Sequence, residues 1–585
     1  DEVTSLYNVR NTRGDGDKLI TDDLLEPFPT TQKQVDDIKK RALASHFYKD
    51  LFISKDGKMT TIIVETDAYS HIGEKELSDE EAFDEEGAFE DDSKKIEKKH
   101  KEFLSDQENA QLVHAILNIT DRYKKDGLDI YVAGSPSVMD ALKSQMQKDM
   151  QKFTRVTVLI IIIFLFLMFR RISAVMYPLI VIILSLLVTV GTMAWAGVAF
   201  KLPTQIVPSL LLAVSVGATV HILSIFFDRF NSNGDKKESI SYTLRHSGLA
   251  IAMTSITTAI GVGSFSGSEV APISDLGIFA SLGVMVSLFL TLTLLPALLS
   301  ITKLNQKPKT QSGRLDNIMK KLATIPVNHY KSIITISAIL VIVALFASSK
   351  IGLSHNPLFW FQPDDYNRIS TQTIDKKMNG TVTIEAIVDT GVENGWNDPD
   401  RLNKLNVLSK KLEKYVDEYT HIGKVVSLAT IVKETNRALH ENKEKYYTIP
   451  KDENLVSQEL LLFENSGSDD LEDVVDSQFS KARVTIKLPW TDAVKAIGVR
   501  NFVTNEFNKA FPKEKVEITG MIPLLINTFA QAVHSSVISY LIAFIGITFM
   551  MMLILGSVRI GLLSMIPNLT PIILGLLIMY ISHIP

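Results

Sequence analysis

The chain has 585 residues, 46% of them hydrophobic and 22% charged, with a net charge of −5. Its basic residues gather in short loops beside apolar runs, which leaves no footprint for nucleic acid. With no cysteine, the chain excludes a disulfide framework, thiolate metal sites and thiol nucleophiles.

The first residue is Asp1, and no basic stretch leading into an apolar core follows it, so no signal peptide is visible. Pro585 falls within an apolar run, and both ends are expected to be cut. Residues 1–155 form a first polar region. In it MTTIIVET at 59–66 and DIYVAG at 129–134 alternate as strands do, while 109–125 has helical period. The densely charged stretch 74–108 is expected to be a solvated loop or exposed helix rather than a cation site.

Apolar runs follow at 156–169, 174–198, 205–227, 247–265 and 276–301. A helix needs about 20 residues to cross a bilayer. The first run is short and is expected to start earlier, because Arg155 can snorkel and 138–154 is amphipathic. A basic linker, 302–332, leads to a run at 333–352 and then to a second polar region, 353–536. There KARVTIKL at 481–488 and EKVEITG at 514–520 predict strands, and 401–418 predicts a helix. Runs at 537–555 and 562–585 close the chain.

Arg170, Arg171, Lys236, Lys237, Arg245, the lysines of 302–332 and Arg559 fall on one side of these spans. The loops 199–204 and 266–275 hold only Lys201. Basic loops are retained in the cytoplasm, so both large polar regions are expected outside it. Strands and helices mixed without βαβ regularity predict α+β subdomains with antiparallel sheets.

The chain also repeats itself. RRISAVMYP at 170–178 matches RIGLLSMIP at 559–567, IYVAGSPSVM at 130–139 resembles VEITGMIPLL at 516–525, and VTSL at 3–6 resembles VVSL at 425–428, in the same order in both halves. The fold class expected is a polytopic α-helical membrane protein with two extracytoplasmic α+β porter-like domains, built as a parallel tandem repeat of six-span halves that is incomplete here. Its domains are 1–155, a bundle at 156–301, the cytoplasmic linker 302–332, a span at 333–352, 353–536, and the last spans at 537–585.

A helix ending in VHIL, then TSITTAIGVGSFS at 254–266, ISDLGIFASLGV at 273–284, LTLLPALLSI at 292–301, HNPLFWFQPDD at 355–365 and SMIPNLTPIILGLL at 564–577 resemble the resistance-nodulation-division superfamily. The resemblance is to its MMPL-like predicted-exporter branch, related to sterol-sensing and Patched proteins. It implies a secondary transporter of hydrophobic or amphiphilic molecules, often lipids, in a bacterial inner membrane. It also implies proton flow through aspartates in the fourth and tenth spans, and it makes the spans of this chain the second to ninth of twelve.

The fourth span is LLLAVSVGATVHILSIFF at 210–227, and Gly217 and Ala218 stand where the family often has an aspartate. Neither can carry a proton. Gly217, His221, Ser224 and Asp228 are spaced to share one helix face. Such a polar stripe avoids lipid, since a charge at the bilayer centre costs roughly 2.5 to 3.5 kcal/mol even on the lower scales. Gly217, with Ala213 and Ala218, would admit a close helix neighbour. Thr254, Thr257 and Thr258 could offer hydroxyls to the imidazole. His221 is then a neutral histidine bonded within the bundle, a proton carrier titrating near its unperturbed pKa of about 6.5, or a lipid contact.

Asp228 is expected to pair with Arg229 or face water, and Glu269 and Asp275 to cap helices or touch the porter domain. Pro178, Pro208, Pro296, Pro567 and Pro571 mark kinks or first turns. GVGSFSGS at 261–268 lacks the lysine of a phosphate loop. No catalytic constellation stands out, and neither an enzyme, a metal nor a cofactor is expected. The partners expected are a lipid-like substrate and membrane lipids, with a homo-oligomer and a periplasmic partner left open. The alternative function is a lipid- or sterol-sensing regulator that does not transport.

Overall fold

A computed structural model of the chain describes residues 2–15, 18–66, 69–70, 104–124, 127–306, 322–352, 354–465 and 471–582. They fall into two compact units, one of 1–142 with 355–526, the other of 143–354 with 527–585. The divisions at 142 and 526 lie inside long helices, because the amphipathic stretches before the apolar runs are already helical.

The α/β unit begins with β1 (Glu2–Thr4), the hairpin β2 (Arg10–Asp15) and β3 (Lys18–Asp23), α1 (Gln32–Ala44), β4 (Ile63–Glu65) and α2 (Asp106–Tyr123). Both helices start at capping boxes, Thr31 with Gln34 and Ser105 with Glu108, each satisfying two otherwise orphaned N–H groups. Most of the charged stretch 74–108 lies outside the described residues.

The helical unit takes over within α3 (Ser135–Phe169) and continues with α4 (Ser173–Trp195), α5 (Ile206–Asn233), α6 (Lys236–Gly263), α7 (Ala271–Ile301) and α8 (Tyr330–Ser348). Helices α4 to α7 pack around Val181, Leu223, Phe226, Phe230, Leu295 and Leu299. Pro178 and Pro296 lie inside α4 and α7, and Pro208 in the first turn of α5.

The α/β unit resumes with α9 (Tyr366–Met378), β5 (Val382–Asp389), α10 (Pro399–Leu412), β6 (Lys424–Val426), α11 (Leu428–Leu439), α12 (Glu453–Glu464), β7 (Lys481–Leu488), α13 (Ile497–Ala510) and β8 (Lys515–Thr519). The strands form one antiparallel sheet in the order β6-β7-β5-β8. Its alternating residues Ile384, Ala386, Val388, Val484, Ile486 and Leu488 are fully buried, as are Leu402, Leu405 and Phe507 of the helices. The predicted helix at 401–418 ends earlier, since Tyr415 and Asp417 turn back to bond Ile422 and Thr420. The chain closes with α14 (Met521–Leu555), α15 (Val558–Leu563) and α16 (Met565–Ile581), the last containing Pro567 and Pro571.

Eight helical segments among the described residues are long and apolar enough to cross a membrane, and each overlaps one of the expected runs, of which 174–198, 333–352 and 562–585 reach past their helices. The strand predictions fare unevenly. KARVTIKL is β7 from end to end, and EKVEITG holds β8, but MTTIIVET shrinks to the three residues of β4. DIYVAG at 129–134 forms no strand and enters no ladder among the described residues.

The short ladder matches the larger sheet position for position. Glu2↔Glu65, Val3↔Val64 and Thr4↔Ile63 pair in β1 and β4, as Lys424↔Lys487, Val425↔Ile486 and Val426↔Thr485 do in β6 and β7. Helices α3 and α14 are each 35 residues long, and each follows a glycine of positive φ, Gly134 at 122° and Gly520 at 99°.

Candidate functional site

Helix α5 ends where Gly234, at φ 74°, closes the last turn on the Phe230 carbonyl, a conformation that costs glycine little. One face is fully packed, with Leu211, Ser215, Thr219, Ile222, Phe226 and Phe230 turned into the bundle. The opposite face carries Ala213, Gly217, His221, Ser224 and Asp228, all exposed. The four polar-face residues share one side of α5, as their spacing predicts, but that side is covered by no described helix instead of facing the bundle.

His221 makes no hydrogen bond or ion pair among the described residues. The three threonines of α6 do not reach it with their hydroxyl protons. Thr254 donates to the Ala250 carbonyl at 2.9 Å, Thr257 to Met253 at 3.0 Å and Thr258 to Thr254 at 2.8 Å. Back-bonding to the preceding turn satisfies these hydroxyls inside their own helix.

One further expectation is corrected. Among the described residues, no atom of a neighbouring element lies within 4 Å of a Cβ built on Gly217, so the close helix approach is not seen there. It is at Gly283 of α7, where a Cβ would meet Leu211 Cδ1 and Thr189 Oγ1, both at 2.7 Å. Asp228 is exposed, and the neighbouring Arg229 guanidinium grips Glu238 at the start of α6, with Nη2 to Oε1 at 2.6 Å.

The bundle also buries hydroxyls that were not singled out from the sequence. Ser185 and Thr189 of α4, Ser215 and Thr219 of α5, and Ser287 and Thr291 of α7 are at most 1% exposed. Ser215 and Ser287 bond across the helix interface at 2.6 Å. The four-residue spacing of Ser and Thr in these helices was a usable signal, since small hydroxyl residues let apolar helices pack closely.

Both ends of the bundle are tied. At one end the Lys236 ammonium donates to the Ser300 and Thr302 carbonyls, each at 3.0 Å, where the α7 dipole favours a cation. Arg171 donates to Asn231 at 2.9 Å. At the other end Lys201 pairs with Asp275 at 2.8 Å, so Asp275 fastens the loop before α5 to the first turns of α7, while Glu269 is exposed. Among the described residues no cluster of His, Asp and Glu could hold a metal.

The ionisable groups with the largest shifts lie in the α/β unit. Glu459 of α12 is 1% exposed with neither oxygen hydrogen-bonded, and burial pushes its carboxyl up to about 8. Burial raises Asp375 to about 6, against the bonds it accepts from Thr381 and Trp490. Burial lowers the Lys433 and Lys487 ammonium groups to about 8. Lys487 donates to the Asp50 carbonyl at 2.8 Å, and Lys433 lies 4.5 Å over the Tyr447 ring.

Eight apolar helices, with one segment of the α/β unit before the first and the other between the sixth and the seventh, define a polytopic helical membrane protein. Residues 99–324 match the MMPL family. The matched stretch is 226 of the chain's 585 residues. It is 25% identical over 183 residues to a membrane protein of Methanocaldococcus jannaschii, covering 31% of this chain and 47% of that one. It is 23% identical over 333 residues to the hopanoid transporter HpnN of Burkholderia multivorans, covering 56% and 35%. With the membrane protein ActII-3 of Streptomyces coelicolor it shares 27% identity over 182 residues, 30% and 26% of the two chains. The chain thus spans less than half the length of these curated relatives.

Proposed function

We propose that the protein is a secondary active exporter of hydrophobic or amphiphilic, lipid-like molecules, with the α/β unit outside the cytoplasm of a bacterial inner membrane. The observation that carries this reading is the polar face of α5. Histidine, serine and aspartate line one side of an otherwise apolar span, and a membrane helix keeps such groups for a pathway or a partner rather than for lipid. The MMPL family match and the relative named a hopanoid transporter support the substrate class. The matched ladders and the equal lengths of α3 and α14 support a tandem repeat as the parent architecture.

In this reading His221 takes over the proton that an aspartate carries elsewhere in the superfamily. Ser224 and Asp228 extend its face along α5, while Thr254, Thr257 and Thr258 of α6 offer lone pairs rather than protons. The test is proton-driven export of a hopanoid from vesicles by the full-length protein, wild type against His221→Ala and His221→Gln, with thermal stability followed in parallel. Loss of export with stability intact is expected. Export that survives both substitutions overturns the role of His221, and wild-type export untouched by a proton uncoupler overturns the coupling. A lipid-sensing regulator would export nothing under any condition.

A further inference from the structure

The unpaired segment 129–134 runs directly into α3, and its backbone needs partners like that of any half-buried strand. A side chain supplies them. The Tyr366 phenol, at the start of α9, donates to the Ile130 carbonyl at 3.0 Å and accepts from the Val132 N–H at 3.2 Å. In an extended segment the carbonyl of one residue and the N–H two residues on point to the same edge. One hydroxyl therefore stands where a neighbouring strand would.

Side chains also hold the residues that flank this segment. The Lys124 ammonium lies 4.5 Å over the Tyr366 ring, and Ser137 Oγ donates to Asn367 Oδ1 at 3.4 Å. His114 meets Asp140 at 3.3 Å, and Asn109 donates to the Pro136 carbonyl at 3.3 Å. The lead-in to α14 is held quite differently. There β8 is zipped to β5 from Glu385↔Thr519 to Asp389↔Lys515.

We propose that Tyr366 is a releasable latch on the lead-in to α3, so that movement passes between the α/β unit and the membrane through Ser135–Phe169 while Met521–Leu555 stays anchored to the sheet. A two-bond latch on one rotatable side chain opens without unzipping a sheet; a ladder opens only with its fold. Tyr366 and Asn367 are positioning residues in this scheme. The latch itself stands on the α/β unit alone, whereas its part in transport rests on the exporter reading.

The experiment is amide hydrogen exchange on the full chain in lipid nanodiscs, wild type against Tyr366→Phe, which keeps the ring and the Lys124 contact but loses both hydrogen bonds. Exchange across 128–142 is expected to rise at least about tenfold while 514–526 is unchanged. Equal rates in the two proteins overturn the latch. Because the chain has no cysteine, Ser137→Cys with Asn367→Cys makes a clean lock across the same contact. With that disulfide closed, hopanoid export is expected to stop and to return on reduction; full export by the locked protein overturns the role in transport. If the wild type exports nothing, the exporter reading fails, and the exchange result still decides the latch.

Discussion

The two parts of the α/β unit solve one problem with different materials. Residues 355–526 place β5 between β7 and β8 in a four-stranded sheet. Residues 2–142 carry the register-matched ladder of β1 and β4, only three pairs long, and hold their last extended segment by a phenol. The same strand pattern is thus load-sharing in one part and individually tethered in the other. Where backbone ladders carry a segment, its stability is that of the sheet; where side chains carry it, single substitutions release it.

Charge sharpens the contrast, and it does so with the largest expected effect. In the second part α12 buries Glu459, whereas Asp36 and Asp37 of α1 in the first part are exposed. Between pH 4.5 and about 8 folded Glu459 holds a proton that the unfolded chain has lost, so stability falls as pH rises. At ~1.4 kcal/mol per unit this amounts to about 5 kcal/mol. Asp375 acts in the same direction between 3.8 and about 6. Lys433 and Lys487 have the opposite sign, because above about 8 the unfolded chain binds the extra protons up to 10.5, and stability returns. Denaturant titration of the full chain is expected to show a minimum near pH 8. Glu459→Gln removes the titration and is expected to flatten the fall between pH 5 and 8; an unchanged slope would show that Glu459 is ionised in the fold.

Packing gives the next effect. Ile486 and Val64 occupy matched positions in the two ladders, opposite Val425 and Val3. Ile486 is fully buried, whereas Val64 is partly exposed and its partner Val3 is 50% exposed. Ile486→Ala leaves a cavity in a closed sheet and is expected to cost roughly 2 to 5 kcal/mol, and Val64→Ala less than about 1 kcal/mol. Equal losses on urea denaturation would mean that the first ladder is as well buried as the second.

What was legible in the sequence follows the same division. KARVTIKL alternates because one side of β7 faces a core, and its bounds were readable to the residue. DIYVAG alternates as clearly, yet pairing is a property of two segments, and its neighbour turned out to be a tyrosine far along the chain. The eight spans needed only apolar length, and the face shared by Gly217, His221, Ser224 and Asp228 needed only helical period. The partners of that face were not readable. Thr254, Thr257 and Thr258 bond within α6, Arg229 turns to Glu238, and the close contact forms at Gly283, because each depends on which helices meet.

The two glycines that precede the long helices give the finest test. Both hold positive φ, where a Cβ clashes with its own backbone. At Gly520 the surroundings add to that strain, since a Cβ would sit 3.0 Å from the Glu385 nitrogen and 3.1 Å from the Thr383 oxygen, both backbone atoms of the sheet. At Gly134, among the described residues, a Cβ would meet only Pro136 Cδ, at 3.8 Å. Gly520→Ala is therefore expected to cost about 3 kcal/mol and Gly134→Ala about 1 kcal/mol, the second close to backbone strain alone. The latched lead-in can shift to relieve a new methyl group, and the zipped one cannot. If thermal midpoints fall equally for the two variants, the segment before α3 is as rigidly held as β8, and the asymmetry between the two long helices disappears.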